Sequence, residues 1–437
     1  MSGAERGVKN GRMRILEGAL RNRYVQELER RGATDLTEVE PLVRRVVNDV
    51  RKSGDRALRR YAGRWDGLGK NEALRVPEAE LQQAWQETAP ELQNAIRQAA
   101  ANIRRYCEWQ KPQEWQREIQ PGVCVGQAVR PLESVGCYVP GGRYPLPSTL
   151  LMTVIPAQAA GVRKIRVASP KPAAVTLAAA GFLGVSEFYR VGGAQAIAAL
   201  AYGTESIARV TKIVGPGNRF VTAAKKQVAF DCGIEFLAGP TEAVVVSEDG
   251  DAECIAADLV AQGEHDPDAL CILITTTRDL AKRVQEEVHA RTRENSVARQ
   301  SLSRRGAILL VDSVDEAMEM VSRIAPEHLT VPAELAPDVR NAGSVFLDEF
   351  SPQAAGDYMS GPNHVLPTGA MARVRGGLSV LDFVQIISCQ SVSRDGIRQI
   401  APAAIALAEA EGLRSHAESL RLRLDQARLP RTRLSHA

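Results

Sequence analysis

Histidine is scarce in this chain, with only six imidazoles among 437 residues. Aromatic residues are also few, at 5%, and no cluster of them is interleaved with the scattered basic residues. Because the net charge is only +3, this composition argues against a protein built around nucleic acid. No apolar run approaches the length that crosses a bilayer, so we expect neither a nucleic-acid nor a membrane partner.

The cysteine pattern excludes two further classes of protein. The seven cysteines include no C-x-x-C pair and their number is odd, which fits neither a zinc ribbon nor a disulfide framework. Dispersed thiols suit a reducing compartment, and the first residues lack the apolar segment of a secretory signal. A cytoplasmic protein is therefore expected, with residues 1–12 as an extension and Met13 as an alternative start.

What is present is the composition of an ordinary globular protein of two or more domains, 44% hydrophobic and 24% charged. Apolar positions at three- and four-residue spacing predict helices over 39–61 and 79–106. From about residue 130, short apolar runs alternate with helical patterns. Strands are predicted at 164–168, 187–191, 210–214, 243–247, 270–275, 306–311 and 344–347. Helices are predicted at 148–160, 173–182, 194–202, 218–228, 252–264, 279–297, 314–325 and 334–341.

Alternating buried strands and helices predict an α/β fold of parallel sheets with right-handed crossovers. Two groups of such units occur, at 132–238 and 240–348, and a Gly-Pro turn at Gly239 separates them. Past about residue 377 the strand pattern ends, and 398–427 is predicted to be helical. This helical tail can pack on its own subunit or on a partner.

Four of the histidines lie in short polar segments, each near a carboxylate or a carboxamide: His265, His328, His364 and His416. Imidazole is a common metal ligand and the natural general base near neutral pH. The pattern therefore suggests one polar site assembled from distant parts of the chain. His289 and His436 lie on a charged helical stretch and near the C-terminus, and they are not candidates.

Two of these segments have the features of metal or substrate positions. Gln262 and His265 lie three residues apart, so a helix would project both from one face, although Gly263 also marks an ordinary helix end. Asp357 and His364 bracket a Gly- and Pro-rich run, which is typical of a loop that binds a ligand or of a long surface connection.

The other two segments suggest proton transfer and a contribution from the tail. Glu327 and His328 can divide acid and base duties, or form an exposed polar pair at a Pro-marked turn. His416 follows Glu411 by five residues. The alternative interpretation is an exposed histidine on a charged helix, with no role in a site. Two histidines, one aspartate and one glutamine would suit Zn²⁺ and would also admit Mn²⁺, Co²⁺ or Fe²⁺.

Three glycine-rich turns, at 139–142, 191–195 and 214–218, each precede a helical pattern. Backbone amides at such turns attract phosphates. None matches the G-x-G-x-x-G dinucleotide fingerprint, so the residue pattern alone favours only an anionic or polar ligand.

These segments resemble the histidinol dehydrogenase family, from about residue 30 to 425. The matching motifs, in chain order, are GCYVPGG, PSTLLMTVIPA, VGGAQAIAALAYGT, KIVGPGN, AGPTEAVVV, ADLVAQGEH, APEHL, GDYMSGPNHVLPT and AEGLRSHA. The resemblance implies one zinc ion per subunit, bound by Gln262, His265, Asp357 and His416. It implies Glu327 and His328 as the acid/base pair. Substrate contacts are implied for Thr241 (where many members carry Ser), His364, Glu411, His328 and the four zinc ligands. NAD contacts are implied for Tyr138, Gln195 and Asn218.

The resemblance also implies an architecture: a cytoplasmic homodimer in which the tail completes the partner's site. The expected domains are an arm at 1–30, a zinc and substrate domain at 31–131 and 240–376, an inserted NAD domain at 132–239, and a helical tail at 377–437. Both α/β domains are expected to be Rossmann-like.

The implied reaction is the NAD-linked, four-electron oxidation of L-histidinol to L-histidine through L-histidinal. One alternative is a sister zinc-dependent dehydrogenase acting on another small polar alcohol, such as a sulfonated diol. Another is a non-catalytic metal-binding protein, which would have no use for Glu327 and His328.

Overall fold

The computed structural model of the chain describes residues 12–31, 35–141 and 144–429. Two compact units are present: the first comprises 1–110 and 132–383, and the second comprises 111–131 and 384–437. Residues 1–11 of the predicted extension at 1–12, Gly142 of the first glycine-rich turn and His436 lie outside the described residues. Within the described part, no helix is long and apolar enough to cross a membrane.

The first unit contains most of the helices and strands. Its strands are β1 (Arg14–Leu16), β2 (Arg75–Val76), β5 (Ser134–Tyr138), β6 (Lys164–Ala168), β7 (Glu187–Tyr189), β8 (Lys212–Val214), β9 (Gly233–Ile234), β10 (Glu242–Val246), β11 (Leu270–Thr275), β12 (Ala307–Leu310), β13 (His328–Val331) and β14 (Ser344–Leu347). Its helices are α1 (Gly18–Glu29), α2 (Glu40–Tyr61), α3 (Glu78–Gln86), α4 (Pro90–Gln110), α5 (Pro147–Ala160), α6 (Ala174–Phe182), α7 (Gly193–Tyr202), α8 (Arg219–Val228), α9 (Ala252–Gly263), α10 (Arg278–Arg291), α11 (Ser296–Arg304), α12 (Val314–Ile324) and α13 (Gln353–Tyr358).

Two six-stranded sheets form the frame of this unit. Sheet one has the order β1-β12-β11-β10-β13-β14, and sheet two has the order β2-β7-β6-β5-β8-β9. All neighbouring strands run parallel except β2, which is antiparallel to β7. Apart from β1 and β2, the strands of each sheet follow chain order outward from β10 or β5, first in one direction and then in the other. The strand order therefore reverses beside β10 in sheet one and beside β5 in sheet two. Such a reversal creates the crevice where doubly wound folds bind ligands.

Four apolar clusters form the core of the first unit, and side chains from the two faces of each sheet pack in different clusters. The central strands β10 and β11 are buried along their whole length, because helices cover both faces. This burial explains why their sequences are continuous apolar runs.

The second unit is built differently. It contains an antiparallel sheet of order β15-β4-β3, from β3 (Trp115–Gln120), β4 (Val123–Pro131) and β15 (Val384–Val392). The helices α14 (Arg394–Ala410) and α15 (Arg414–Arg428) pack against each other. The predicted tail is therefore helical over 394–428, but a nine-residue strand that the sequence did not predict precedes it.

The predicted α/β class with parallel sheets is confirmed, and each predicted strand has a counterpart within about two residues. Four helix predictions need correction. The stretches 79–106, 279–297 and 398–427 each form two helices, broken before Pro90, Ser296 and Arg414 respectively. The stretch 334–341 forms a 3-10 helix at Ala333–Asp338. The division of the chain into functional domains stays a prediction.

Candidate active site

The acid/base candidates lie at the amino ends of two neighbouring strands in sheet one. His328 is the first residue of β13 and pairs in register with Ala243 of β10, so Glu327, just before β13, lies beside Glu242, the first residue of β10. Glu327 and His328 are buried. The expectation of an exposed pair at a turn is therefore wrong: Ala325 ends α12 in the left-handed conformation, and the chain enters the sheet at once.

His328 has a defined tautomer when it is neutral. Its Nδ1 lies 3.2 Å from the carbonyl oxygen of Glu242, and a carbonyl can only accept, so Nδ1 carries the hydrogen. Nε2 is then the unprotonated nitrogen. Across the described ranges Nε2 has no hydrogen-bond partner, although it is buried and lies 3.6 Å from Oδ1 of Asp357. The site therefore contains a base whose lone pair is free.

The electrostatics of the pair favour an exchange of protons. Burial raises the pKa of Glu327 to about 8. Two groups act to lower this pKa: the nearby His328, and the backbone N–H of Glu242, which donates to Oε2 of Glu327 at 2.9 Å. Burial acts to lower the pKa of His328, but the carboxylates of Glu327 and Asp357 outweigh it and raise that pKa. Glu327 is thereby suited to exchange a proton near neutral pH, beside a histidine whose protonated form is favoured by the two carboxylates.

The predicted metal-ligand segments converge on the same place. Gln262, in the last turn of α9, donates its Nε2 to Oδ2 of Asp357 in α13 at 3.2 Å. His265 lies two residues past the end of α9 and is exposed. Burial acts to raise the pKa of Asp357, but the imidazoles of His328, His364 and His265 outweigh it, and the pKa is lowered. Three of the four predicted ligands are therefore near one another.

His364 joins the same cluster from the loop that follows α13. Its Nδ1 donates to the carbonyl oxygen of Asp357 at 2.8 Å, which leaves Nε2 as the acceptor for the hydroxyl of Thr149, 3.3 Å away on α5. Burial lowers the pKa of His364, so the neutral form is favoured. Thr149 was missed by sequence reasoning, although it lies inside one of the quoted motifs.

The remaining two candidates lie in the second unit. Glu411 follows the last residue of α14 and His416 is in the first turn of α15, and both side chains are exposed. Among residues 12–31, 35–141 and 144–429, no group of three or more His, Cys, Asp and Glu side chains is arranged to hold a metal ion. Of the predicted metal ligands in the first unit, His265 and Asp357 belong to these four residue types, and the third is the carboxamide of Gln262.

A buried ion pair that the sequence did not reveal supports the acid/base pair. Arg31 binds Glu242 through two hydrogen bonds of 2.8 Å each, and Gly369 donates its N–H to the same carboxylate at 3.1 Å. Glu242 thus ties the end of α1 and the loop after His364 to the strand that orients His328. Thr241, the predicted substrate contact, is half-buried immediately before Glu242.

The three predicted NAD contacts line one cavity of about 400 Å³ at the carboxyl edge of sheet two. Tyr138 ends β5, Gln195 lies in the first turn of α7, and Asn218 caps α8. Trp65, Asp66 and Lys171 also line the cavity. The cavity lies beside β5, where the strand order of sheet two reverses.

Three amides of the second and third glycine-rich turns are already bound within the protein. The N–H of Gly192 donates to Asp66, and that of Gly193 donates to the hydroxyl of Tyr138. In the third turn, the N–H of Gly215 donates to the buried Glu235. These three donors therefore shape the cavity and are not available to a phosphate.

Comparisons with known proteins agree on one family. The family model described as "Histidinol dehydrogenase" matches residues 29–424. The chain is 47% identical to the histidinol dehydrogenase of Methanothermobacter thermautotrophicus, over 92% of this chain and 97% of that protein. It is 43% identical to that of Bacillus cereus, over 92% and 96%. The crystal structure of histidinol dehydrogenase from Elizabethkingia anophelis matches with a TM-score of 0.89 at 34% identity, covering 95% of this chain and 98% of that one.

Proposed function

This chain belongs to the histidinol dehydrogenase family, and we propose that it carries out the last oxidation in histidine biosynthesis, converting L-histidinol through L-histidinal to L-histidine. The observation that carries the proposal is the lone pair of His328 Nε2, which is buried in a cluster of polar side chains that could hold a small amino alcohol. Two NAD molecules and one water are consumed per substrate, and three protons are released.

His328 acts as the general base of the first oxidation. Its Nδ1–H is held by the Glu242 carbonyl, so Nε2 faces the cluster and takes the hydroxyl proton of the alcohol. The neighbouring carboxylates of Glu327 and Asp357 stabilise the imidazolium that results.

Glu327 takes the proton of the water that adds to the aldehyde. Its pKa is raised to about 8, so the carboxylate is a stronger base than an exposed glutamate. The N–H of Glu242 fixes its Oε2, which leaves the other carboxylate oxygen for the water proton. A second oxidation of the hydrate then gives the acid.

The chemistry of the donor set fits a zinc ion. Gln262 and Asp357 are in contact and His265 interacts with Asp357, which assembles oxygen and nitrogen donors from two elements. These three residues and His416 would hold the ion. A zinc ion bound there supplies Lewis acidity and a fixed point for the imidazole and amine of the substrate. His364 and Glu411 contact the substrate in this proposal, as does Thr241.

The cavity at sheet two is proposed to bind NAD through Tyr138, Gln195 and Asn218. When bound there, NAD would supply the hydride acceptor for each oxidation. Burial raises the pKa of Tyr138 to about 12, so its hydroxyl stays neutral and can donate to the cofactor.

A homodimer is part of the proposal, with the tail completing the partner's site. Ile386 and Ile387 are neighbours on β15 and point to opposite faces of the small sheet, yet they are 51% and 45% exposed. Leu407 of α14 is 67% exposed. A sheet exposed on both faces and an apolar helix surface are suited to a second copy of the chain. The dispersed thiols favour the cytoplasm as its location.

Counting the NADH formed per L-histidinol consumed tests the reaction and the metal together. Two NADH per substrate are expected, and treatment with a chelator is expected to abolish the activity until Zn²⁺ is restored. If histidinol yields no NADH while a sulfonated diol does, the substrate assignment is wrong. Activity that survives complete removal of metal would contradict the zinc assignment alone.

A further inference from the structure

The cofactor cavity contains a carboxylate whose role no family motif indicates. Asp66 ends the single turn of π-helix at Ala62–Asp66, which follows α2. Its Oδ2 accepts the N–H of Gly192 at 2.9 Å and Nε2 of Gln195 at 3.0 Å. The turn after α2 is therefore fastened to the first turn of α7.

The second observation is the side chain of Gln195 itself. It lines the cavity and is only 1% exposed. With Nε2 bound to Asp66, the amide oxygen Oε1 is buried and, among the described residues, has no hydrogen-bond partner. A buried amide oxygen without a donor is costly, so a ligand that supplies an N–H or O–H would be favoured there.

The contact with Asp66 fixes which end of the amide faces the cavity. Oδ2 of Asp66 accepts two N–H groups, so it carries no proton in either ionisation state of the carboxyl group. If the Gln195 amide turned over, Oε1 would face Oδ2, and two acceptors would repel each other. Gly193 supports the same geometry: its φ is +61°, and a Cβ there would lie 2.9 Å from Oε1.

We propose that Asp66 is a positioning residue of the cofactor cavity, which holds Gln195 so that Oε1 accepts a hydrogen bond from an N–H or O–H group of bound NAD. The inference rests on the proposed function, because it takes NAD as the occupant of this cavity. It adds Asp66 to the cofactor site and specifies that Gln195 is the acceptor, and NAD the donor, of their hydrogen bond.

The test is a set of variants titrated calorimetrically with NAD in the presence of saturating L-histidine, so that no turnover is needed. In Asp66→Ala, Nε2 of Gln195 loses its acceptor, so Oε1 is no longer held towards the cavity. The dissociation constant of NAD is expected to rise about tenfold, the loss of roughly one hydrogen bond. Gln195→Ala is expected to weaken binding by a similar factor, and Asp66→Ala should have no further effect in that background.

Asp66→Asn provides the conservative rescue. Its amide oxygen can take the place of Oδ2 and accept both N–H groups, so NAD binding should stay close to that of the native chain. Gln195→Glu places two carboxylates together and should bind poorly, and adding Asp66→Asn, which removes one of the two charges, should recover part of the binding. Asp55→Ala is the matched control: Asp55 lies on α2, accepts the N–H of Ser206 beyond the end of α7, and does not line the cavity.

The outcomes separate the two claims. If Gln195→Ala leaves NAD binding unchanged, the cavity does not bind the cofactor through this residue, and the assignment of the site fails together with the inference. If Gln195→Ala weakens binding but Asp66→Ala has no effect, or has an equal effect with and without Gln195, only the positioning role is overturned. Thermal unfolding of each variant identifies misfolding, and if Asp66→Ala misfolds, failure of Asp66→Asn to improve NAD binding in the Gln195→Glu background overturns the role.

Discussion

A single hydrogen bond at His328 decides which ring nitrogen can take a proton. The Glu242 carbonyl holds Nδ1–H, and the lone pair of Nε2 therefore faces Asp357. A neighbouring chain segment sets the tautomer, as is usual for histidines that act in catalysis. The sequence predicted Glu327 and His328 as an acid/base pair, but it could not indicate the tautomer, because the partner carbonyl lies 86 residues away on another strand.

Replacing His328 with Asn should keep the Nδ1-side hydrogen bond and remove the base. We expect turnover of L-histidinol to fall by about two to four orders of magnitude, with NAD binding and zinc content unchanged. Stopped-flow absorbance of NADH and metal analysis measure the two effects. His289→Asn, on α10 and not among the residues of the site, is the control. Loss of bound zinc in His328→Asn would show that this residue serves the metal instead.

The ion pair of Arg31 and Glu242 should contribute strongly to stability, because removing one partner leaves a buried charge. The side chains are 12% and 6% exposed. We expect Arg31→Met to lower the free energy of unfolding by about 3 kcal/mol, and the further change Glu242→Gln to restore part of it. Arg23→Met breaks the exposed pair with Glu27 and should cost less than about 0.5 kcal/mol. Equal losses in the two Arg variants by urea denaturation would contradict this account.

At the scale of elements, the two sheets share a strand order, but the cavities at their carboxyl edges have different linings. At the matching edge of sheet one, a cavity is lined by acidic side chains that include Asp249, Asp258 and Glu349. Asp251 also caps α9 by accepting the N–H of Cys254. Carboxylates in these positions would repel a pyrophosphate, so the same topology does not imply a second nucleotide site.

Seven of the parallel strands were predicted, because each is an apolar run between helical patterns. Others were missed, including the buried β5, whose apolar run is interrupted by Ser134 and Gly136. The strands of the second unit were not predicted either, since β3 and most of β15 are exposed and their sequences show no apolar stretch facing a core. Likewise, the hydrogen bond between Gln262 and Asp357 joins segments 95 residues apart. That these two residues come together was predicted from the family resemblance, because the periodicity of the sequence gives no information on so distant a contact.

Asp258 on α9 gives the sheet-one edge a pH dependence. Burial raises the pKa of Asp258 to about 6. Since the folded state holds this proton more tightly than the unfolded state, stability is lost as the pH rises from about 4 to about 6. Asp258→Asn should therefore gain stability relative to the native chain over this window and keep the gain above it. The gain should stay under about 1 kcal/mol, because the group is partly hydrated.

Urea denaturation at pH 4.5 and at pH 7.5 measures the difference. The gain should be small at the lower pH and fully developed at the higher one. Asp249→Asn, at an exposed position just before α9, should show no such growth. A gain that is the same at both values would mean that Asp258 is not the titrating group.

At the scale of the whole molecule, the residues of the proposed site are divided between the two units. Gln262, Asp357 and His328 cluster within the first unit, while His416 and Glu411 belong to the second and are exposed. If each tail completes the site of the neighbouring subunit, two variants that are inactive alone should complement each other in a mixed dimer. A site contained in one subunit would not allow this.

Mixing His416→Ala with His328→Asn under conditions that exchange subunits tests this complementation. In a mixed dimer, the subunit that keeps His328 receives the tail that keeps His416, so one of its two sites is complete. Random reassociation makes about half of the dimers mixed, and activity should recover to about a quarter of the native value. Mixing His328→Asn with Glu327→Gln should restore nothing, because both changes lie in the same unit. If the first mixture also stays inactive although mixed dimers form, the tail serves its own subunit.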